Sequence, residues 1–150
     1  MSMFDLKGRT ALVTGATQGI GMAIAQALTH HGARLIVSDR DEAACIRVAQ
    51  ELQKAGHDVV PIAADLEHAE SIDALCESAG PIDVLVCNAG IQGPAGPMAS
   101  VTNEDWQQVM DVNLRAAVRL SARVIPGMAT RGGGSVVLMS SIAGLSGNRA

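Results

Sequence analysis

After a short apolar run the chain reads Thr14-Gly15-Ala16-Thr17-Gln18-Gly19-Ile20-Gly21, and a helical pattern beginning Met22-Ala23-Ile24 follows at once. Glycines at such a turn permit positive φ and close backbone approach. The helix N-terminus offers unpaired N–H groups and partial positive charge to a diphosphate. The spacing is Gly-x-x-x-Gly-x-Gly, and no Lys-Ser/Thr follows as a phosphate-binding P-loop needs. Asp39 stands 24 residues after Gly15, at the end of a second apolar run. Dinucleotide folds place there the acid that accepts hydrogen bonds from the adenosine ribose hydroxyls. A carboxylate would repel a 2′-phosphate by about 1–4 kcal/mol at contact, which favours NAD over NADP. Arg40 pulls the other way, because guanidinium groups bind phosphate well, and the uncharged Gln18 pulls back toward NAD. Blander roles compete: a tight strand-to-helix connection for the glycines, and a helix-capping acid for Asp39.

These residues need elements to position them. Continuously apolar runs at Thr10–Thr14, Arg34–Ser38, Asp58–Ala63, Ile82–Cys87 and Ser135–Ser140 read as strands buried on both faces. Helical patterns lie between them at Gly19–His31, Asp41–Ala55, Glu67–Ala79 and Asn103–Ile125. The alternation predicts an α/β fold, a doubly wound parallel sheet with right-handed crossovers, as one domain, or most of one, over residues 1–150. The last helix opens with Thr102 and Asp105 as a capping box, with Val101 stapled on Trp106. Its apolar face is predicted to run Trp106, Val109, Met110, Ala117 and Leu120. Asn113 falls on that face, where an unsatisfied amide costs about 1–3 kcal/mol, so it calls for a partner or a task.

Composition narrows the functions further. Charged residues make up 17% and hydrophobic ones 48%, against roughly 25% charged in ordinary soluble domains, which excludes disorder. A formal net charge of −4 gives no footprint for nucleic acid or a membrane surface. With one Phe, one Trp and no Tyr, base-stacking platforms are excluded, as is any tyrosine-dependent step completed by these residues. Cys45, Cys76 and Cys87 are odd in number and widely spaced, as structural thiols of a cytoplasmic protein are; the four histidines follow no metal-ligand spacing, so no metal is expected. Met1 to Lys7 has no signal-peptide pattern, and no run of about 18 apolar residues occurs.

Taken in order, the motifs resemble the short-chain dehydrogenase/reductases, in the branch with Thr-Gly-x-x-x-Gly-x-Gly at the first turn, along the whole chain. The resemblance implies a Rossmann fold with its first five strands present. It also implies NAD, with NADP less favoured, held by Gly15, Thr17, Gln18, Gly19, Ile20, Gly21, Asp39 and Arg40. Asp65, before Leu66, is similar to the family's adenine-contacting aspartate, and Asn88-Ala89-Gly90 to the Asn-Ala-Gly motif that supports the sheet and lines the cofactor site. Asn113 matches an asparagine whose kinked backbone holds a water in a proton relay. Ser140-Ser141-Ile142-Ala143-Gly144 resembles the serine motif in which Ser141 would orient the substrate oxygen. Ser141 and Asn113 are thus the catalytic candidates. Each position keeps a plainer alternative: a turn cap for Asn88, a strand-end or helix-capping acid for Asp65, a satisfied core amide for Asn113, a turn serine for Ser141.

The implied activity is hydride transfer between the nicotinamide and a secondary alcohol or ketone, with a tyrosine as general acid/base and a lysine that lowers its pKa. That Tyr-x-x-x-Lys motif lies beyond the serine in the family, whereas this sequence runs nine residues past Ser141. The expectation is a record truncated before the motif, and a 150-residue chain inactive by itself. A non-catalytic dinucleotide-binding or regulatory protein, and an interaction module, are the rival readings. The resemblance further implies a homodimer or homotetramer built through the helix carrying Asn113 and the one that follows it. The Ile91-to-Ser100 loop is expected to form one wall of the substrate pocket.

Overall fold

The computed structural model describes residues 4–144; positions 1–3 of the N-terminal stretch and 145–150 lie outside the described residues. Strands β1 (Thr10–Thr14), β2 (Arg34–Ser38), β3 (Val59–Pro61), β4 (Val84–Cys87) and β5 (Ser135–Leu138) form one sheet in the order β3-β2-β1-β4-β5. Every neighbouring pair is parallel, with Thr14 opposite Ser38 and Cys87 opposite Leu138. The helices are α1 (Gly19–His30), α2 (Glu42–Lys54), α3 (Ala69–Ala79), α4 (Asn103–Met110) and α5 (Ala116–Thr130).

The period of two along each strand splits the core into two layers. Leu12, Ile36 and Leu85 pack with Ile72 and Leu75 of α3 and Leu120 and Val124 of α5. Ala11, Val13, Leu35, Val37 and Val86 face the other way, onto Ala25 of α1 and Cys45, Val48 and Leu52 of α2. Each fully buried Leu or Val contributes about 1.5–3 kcal/mol, so Leu12→Ala at this wholly buried position would cost about 2–5 kcal/mol. The doubly wound sheet expected from the apolar runs is therefore what forms. β3 is shorter than the predicted Asp58–Ala63 run and ends on Pro61, which lacks an N–H but is tolerated on an edge strand.

The helix predicted at Asn103–Ile125 differs most. It is broken by a π-helical turn at Asp111–Arg115 and then runs on through Pro126 to Thr130. Continuation past proline is held by the buried stripe Ala116, Leu120, Val124 and Met128, the last of which lies against Gly134. The capping box forms as expected, Thr102 Oγ1 accepting from Asp105 N at 3.1 Å. The π-turn shifts the register between α4 and α5, so the single apolar face does not survive. Trp106 is 54% exposed, Asn113 is exposed, and Asp111 is the buried polar residue, bonded by Gln107 and Arg115. Arg119 of α5 pairs with Asp73 of α3 at 2.6 Å, joining the two helices at their rim.

Candidate nucleotide-binding site

The chain steps outward from β1 to β2 to β3 and then returns to lay β4 on the other side of β1. In doubly wound sheets the crevice beyond the carboxyl ends of the strands at such a reversal is where ligands bind. The two connections flanking it here are the glycine turn after β1 and Asn88-Ala89-Gly90 after β4.

Thr14 and Asn88 lock those connections together. The Thr14 hydroxyl donates to the Val86 carbonyl at 3.4 Å and accepts from the backbone N–H groups of Asn88 and Ala89 at 3.1 and 3.2 Å. Asn88 Nδ2 donates to the carbonyls of Thr14 and Gly15, each at 3.1 Å. Gly15 has φ +63° and lies so close to Ala89 that an added Cβ would sit 2.9 Å from its Cα; a Cβ on Gly21 would overlap the Gly15 carbonyl and the Asn88 amide. Only glycine fits either place. Gly19, with φ +55°, has open space where its Cβ would be. Helix α1 starts there without a side-chain cap from Gln18 and without an acid in its first turn, so among the described residues no side chain caps its leading N–H groups.

A cleft of about 190 Å³ opens beside this turn. Of the residues predicted from sequence, Gln18, Asp39, Arg40, Asp65, Leu66, Ala89 and Gly90 border it. Asp39 is half-buried and does not cap α2, since Asp41 does so by accepting from Ala44 N at 3.0 Å. The Asp39 carboxylate instead accepts from Thr17 Oγ1 at 2.6 Å and from Arg40 N at 2.8 Å. Asp65 accepts locally from Glu67 N at 3.0 Å while bordering the cleft. Gly15, Thr17, Gly19, Ile20, Gly21 and Asn88 form the turn and its support rather than the cleft wall.

A second cavity of about 230 Å³ lies between the ends of β4 and β5 and the long helix, bordered by Thr14, Cys87, Ala89, Asn113, Met139 and Ser140. Asn113 does not occupy the buried apolar face predicted for it. Its amide pairs with the backbone of Ile91, Oδ1 accepting from N at 2.8 Å and Nδ2 donating to O at 2.9 Å, because the π-turn rotates it toward the loop after β4. Ser141 is exposed and its Oγ accepts from Ala143 N at 3.2 Å, while Ser140 is the serine that borders the cavity. Burial pushes the Cys87 thiol up to about 11, so it stays protonated and offers no nucleophile at neutral pH.

Sequence reasoning did not assign Ser38, Ala64, Glu67, Ile91, Gln108 and Val112 to the first cleft. Five of them sit one residue from predicted positions and were within reach of that logic. Gln108 arrives from α4 and bonds Glu67 at 2.9 Å, a contact no local pattern announces. The residues present fit a dinucleotide on one further observation. The Ser38 hydroxyl is buried at the cleft without a hydrogen-bond partner among the described residues, which is the kind of atom a ligand satisfies.

Among the described residues no helix is long and apolar enough to cross a membrane. The model of the short chain dehydrogenase family matches residues 9–150. Dehydrogenase/reductase SDR family member 4 of Oryctolagus cuniculus is 37% identical over 142 residues, covering 92% of this chain and 55% of that protein. A short-chain type dehydrogenase/reductase from Mycobacterium marinum superposes with a TM-score of 0.92 at 31% identity, covering 100% of this chain and 64% of that one. A metagenomic short-chain oxidoreductase solved in complex with NADP gives a TM-score of 0.87 at 35% identity, covering 97% and 66%. The chain spans about half the length of the curated relatives it matches.

Proposed function

Because the chain belongs to the short-chain dehydrogenase family, we propose that the protein is an NAD-dependent oxidoreductase that moves a hydride between the nicotinamide cofactor and a secondary alcohol or its ketone. The observation that carries the reading is the Asp39 carboxylate, held by two donors at the cleft beside the glycine turn. Ribose hydroxyls are donors and suit it, whereas a 2′-phosphate brings a second anion. NADP has support of its own: the metagenomic relative holds that cofactor, and the exposed Arg40 stands next to Asp39. NAD ranks first because a fixed anion at contact distance outweighs a solvent-screened cation on a flexible stem.

In this reading the first turn of α1 takes the diphosphate, Asp65 and Leu66 border the adenine, and Asn88 keeps the glycine turn in shape. Bound NAD supplies a ring carbon that accepts or returns a hydride. The Ser141 hydroxyl donates to the substrate oxygen, and the Asn113 turn at the second cavity takes part in proton relay. With no tyrosine in the 150 residues, the general acid/base comes from polypeptide beyond position 150, a reading supported by the greater length of the relatives. Residues 1–150 alone should then show no turnover and should self-associate, because Val137, Leu138 and Met139 of the β5 edge are exposed. A homodimer or homotetramer is part of the proposal, supported by the exposed Leu114, Val118 and Ile125 along the long helix. A cytoplasmic location is supported by the free thiols.

The test is calorimetric titration of NAD and NADP into the full-length protein and its Asp39→Ser variant, alongside turnover of a secondary-alcohol panel. NAD should bind the unsubstituted protein more tightly, and Asp39→Ser should narrow or invert the ratio. Tighter NADP binding by the unsubstituted protein would overturn the carboxylate reading and make Arg40 the specificity residue. Binding of neither nucleotide would overturn the oxidoreductase.

A further inference from the structure

We propose that Thr17 is a positioning residue for nucleotide choice: by holding one oxygen of Asp39, its hydroxyl aims the carboxylate at a ribose and leaves a phosphate facing lone pairs. The inference rests on Asp39 being the ribose-binding acid. Thr17 lies in the glycine turn after β1 and Asp39 at the end of β2, so the 2.6 Å bond between them joins two connections distant in sequence. It ties the ribose end of the cleft to the turn assigned above to the diphosphate.

The hydrogen count decides what each ligand meets. An ionised carboxylate has about four lone-pair sites. Thr17 Oγ1 takes one at Oδ2 and the Arg40 N–H takes one at Oδ1, which leaves each oxygen able to accept from a ribose hydroxyl. A threonine hydroxyl has a single hydrogen, and here it is committed to Asp39. Toward an incoming 2′-phosphate, which can only accept, Thr17 therefore offers no donor. To serve the phosphate its hydrogen would have to leave Asp39, giving up a charge-assisted bond and freeing the carboxylate beside the new anion. The Arg40 side chain, exposed and without an ion pair among the described residues, would be the cation left to attract it, beside the uncharged Gln18 amide and Ser38 hydroxyl at the cleft.

The experiment titrates NAD and NADP into the full-length protein and its Thr17→Val, Thr17→Ser, Asp39→Ser and Thr17→Val/Asp39→Ser variants, reading Kd for both nucleotides by calorimetry. Thr17→Val should lower the NAD-over-NADP ratio by about tenfold, the worth of one charge-assisted hydrogen bond. Thr17→Ser keeps the hydroxyl and should hold the ratio within about twofold of the unsubstituted protein, and Thr17→Val should have no further effect once Asp39 is gone. A merely structural threonine would weaken both nucleotides together, and an unchanged ratio in Thr17→Val overturns the inference while leaving the oxidoreductase standing. The same effect of Thr17→Val with and without Asp39 overturns it too. Preference of the unsubstituted protein for NADP removes the inference and the NAD assignment together, and binding of neither nucleotide removes the proposed function as well.

Discussion

Replacing Asn88 by Ala should loosen the glycine turn by an amount that its bonds set. The half-buried side chain faces the carbonyls of Thr14 and Gly15, each at 3.1 Å, and its amide nitrogen carries two hydrogens, one for each acceptor. Each bond is worth about 0.5–1.5 kcal/mol net, and a carbonyl left dry costs about 1–3 kcal/mol. Water reaches a half-buried site in part, so the loss should total about 2–3 kcal/mol. For a chain of this size that lowers Tm by about 4–12 °C. Asn113→Ala removes the same number of side-chain bonds, to Ile91, at an exposed position where water replaces them, and should cost no more than about 1 kcal/mol. Asn88→Asp should be worse than Asn88→Ala at neutral pH, since a carboxylate sets only acceptors against two carbonyl oxygens. Scanning calorimetry on the variants decides it. Equal losses for Asn88→Ala and Asn113→Ala, or an unshifted Tm for Asn88→Asp, would refute the reasoning.

In the full-length protein Ser141→Ala should reduce turnover by about 10²-fold with NAD affinity unchanged; the same loss from Ser140→Ala alone would reassign the role to the serine at the cavity. Burial raises the Cys45 and Cys87 thiols to about 11 and also raises Cys76, so iodoacetamide at pH 8 should leave the folded protein's cysteines largely unlabelled until denaturant is added, as read by mass spectrometry. The Arg119 hydrogen bond holds the Asp73 carboxyl below its usual 3.8; that stability is present above the unfolded value and lost as pH falls through the folded one. Asp73→Asn should therefore flatten the fall of Tm with acid below about pH 4, and an unchanged acid limb would count against the pair.

The strands were legible because a parallel sheet covered on both faces demands unbroken apolar runs, and β1 and β2 come out with the predicted bounds. The glycine turn was legible because a positive φ and a forbidden Cβ each restrict a position to glycine, and Asp39 because an acid at the end of β2 borders the cleft beside that turn. The long helix was not. Its period looks regular around Asn113, and nothing local distinguishes an α-turn from a π-turn that rotates the amide outward to Ile91. The predicted helix stops at Ile125, whereas the buried stripe continues to Met128 and carries the helix on through Pro126 to Thr130. Gln108 and Glu67 meet only after the fold has formed, so their bond has no signature in either segment.

The π-helical turn at Asp111–Arg115 also acts as a rotational clutch between two stretches of one rod. An α-helix winds about 100° per residue, so removing one residue from the turn would restore a seamless helix and swing α4 by that angle relative to α5. Either Ala116, Leu120, Val124 and Met128 would stay seated on the sheet while Asn113 swung away from Ile91, or the clamp would hold and the stripe would turn off the core. The segment should accordingly tolerate exchanges of residue far better than changes of length.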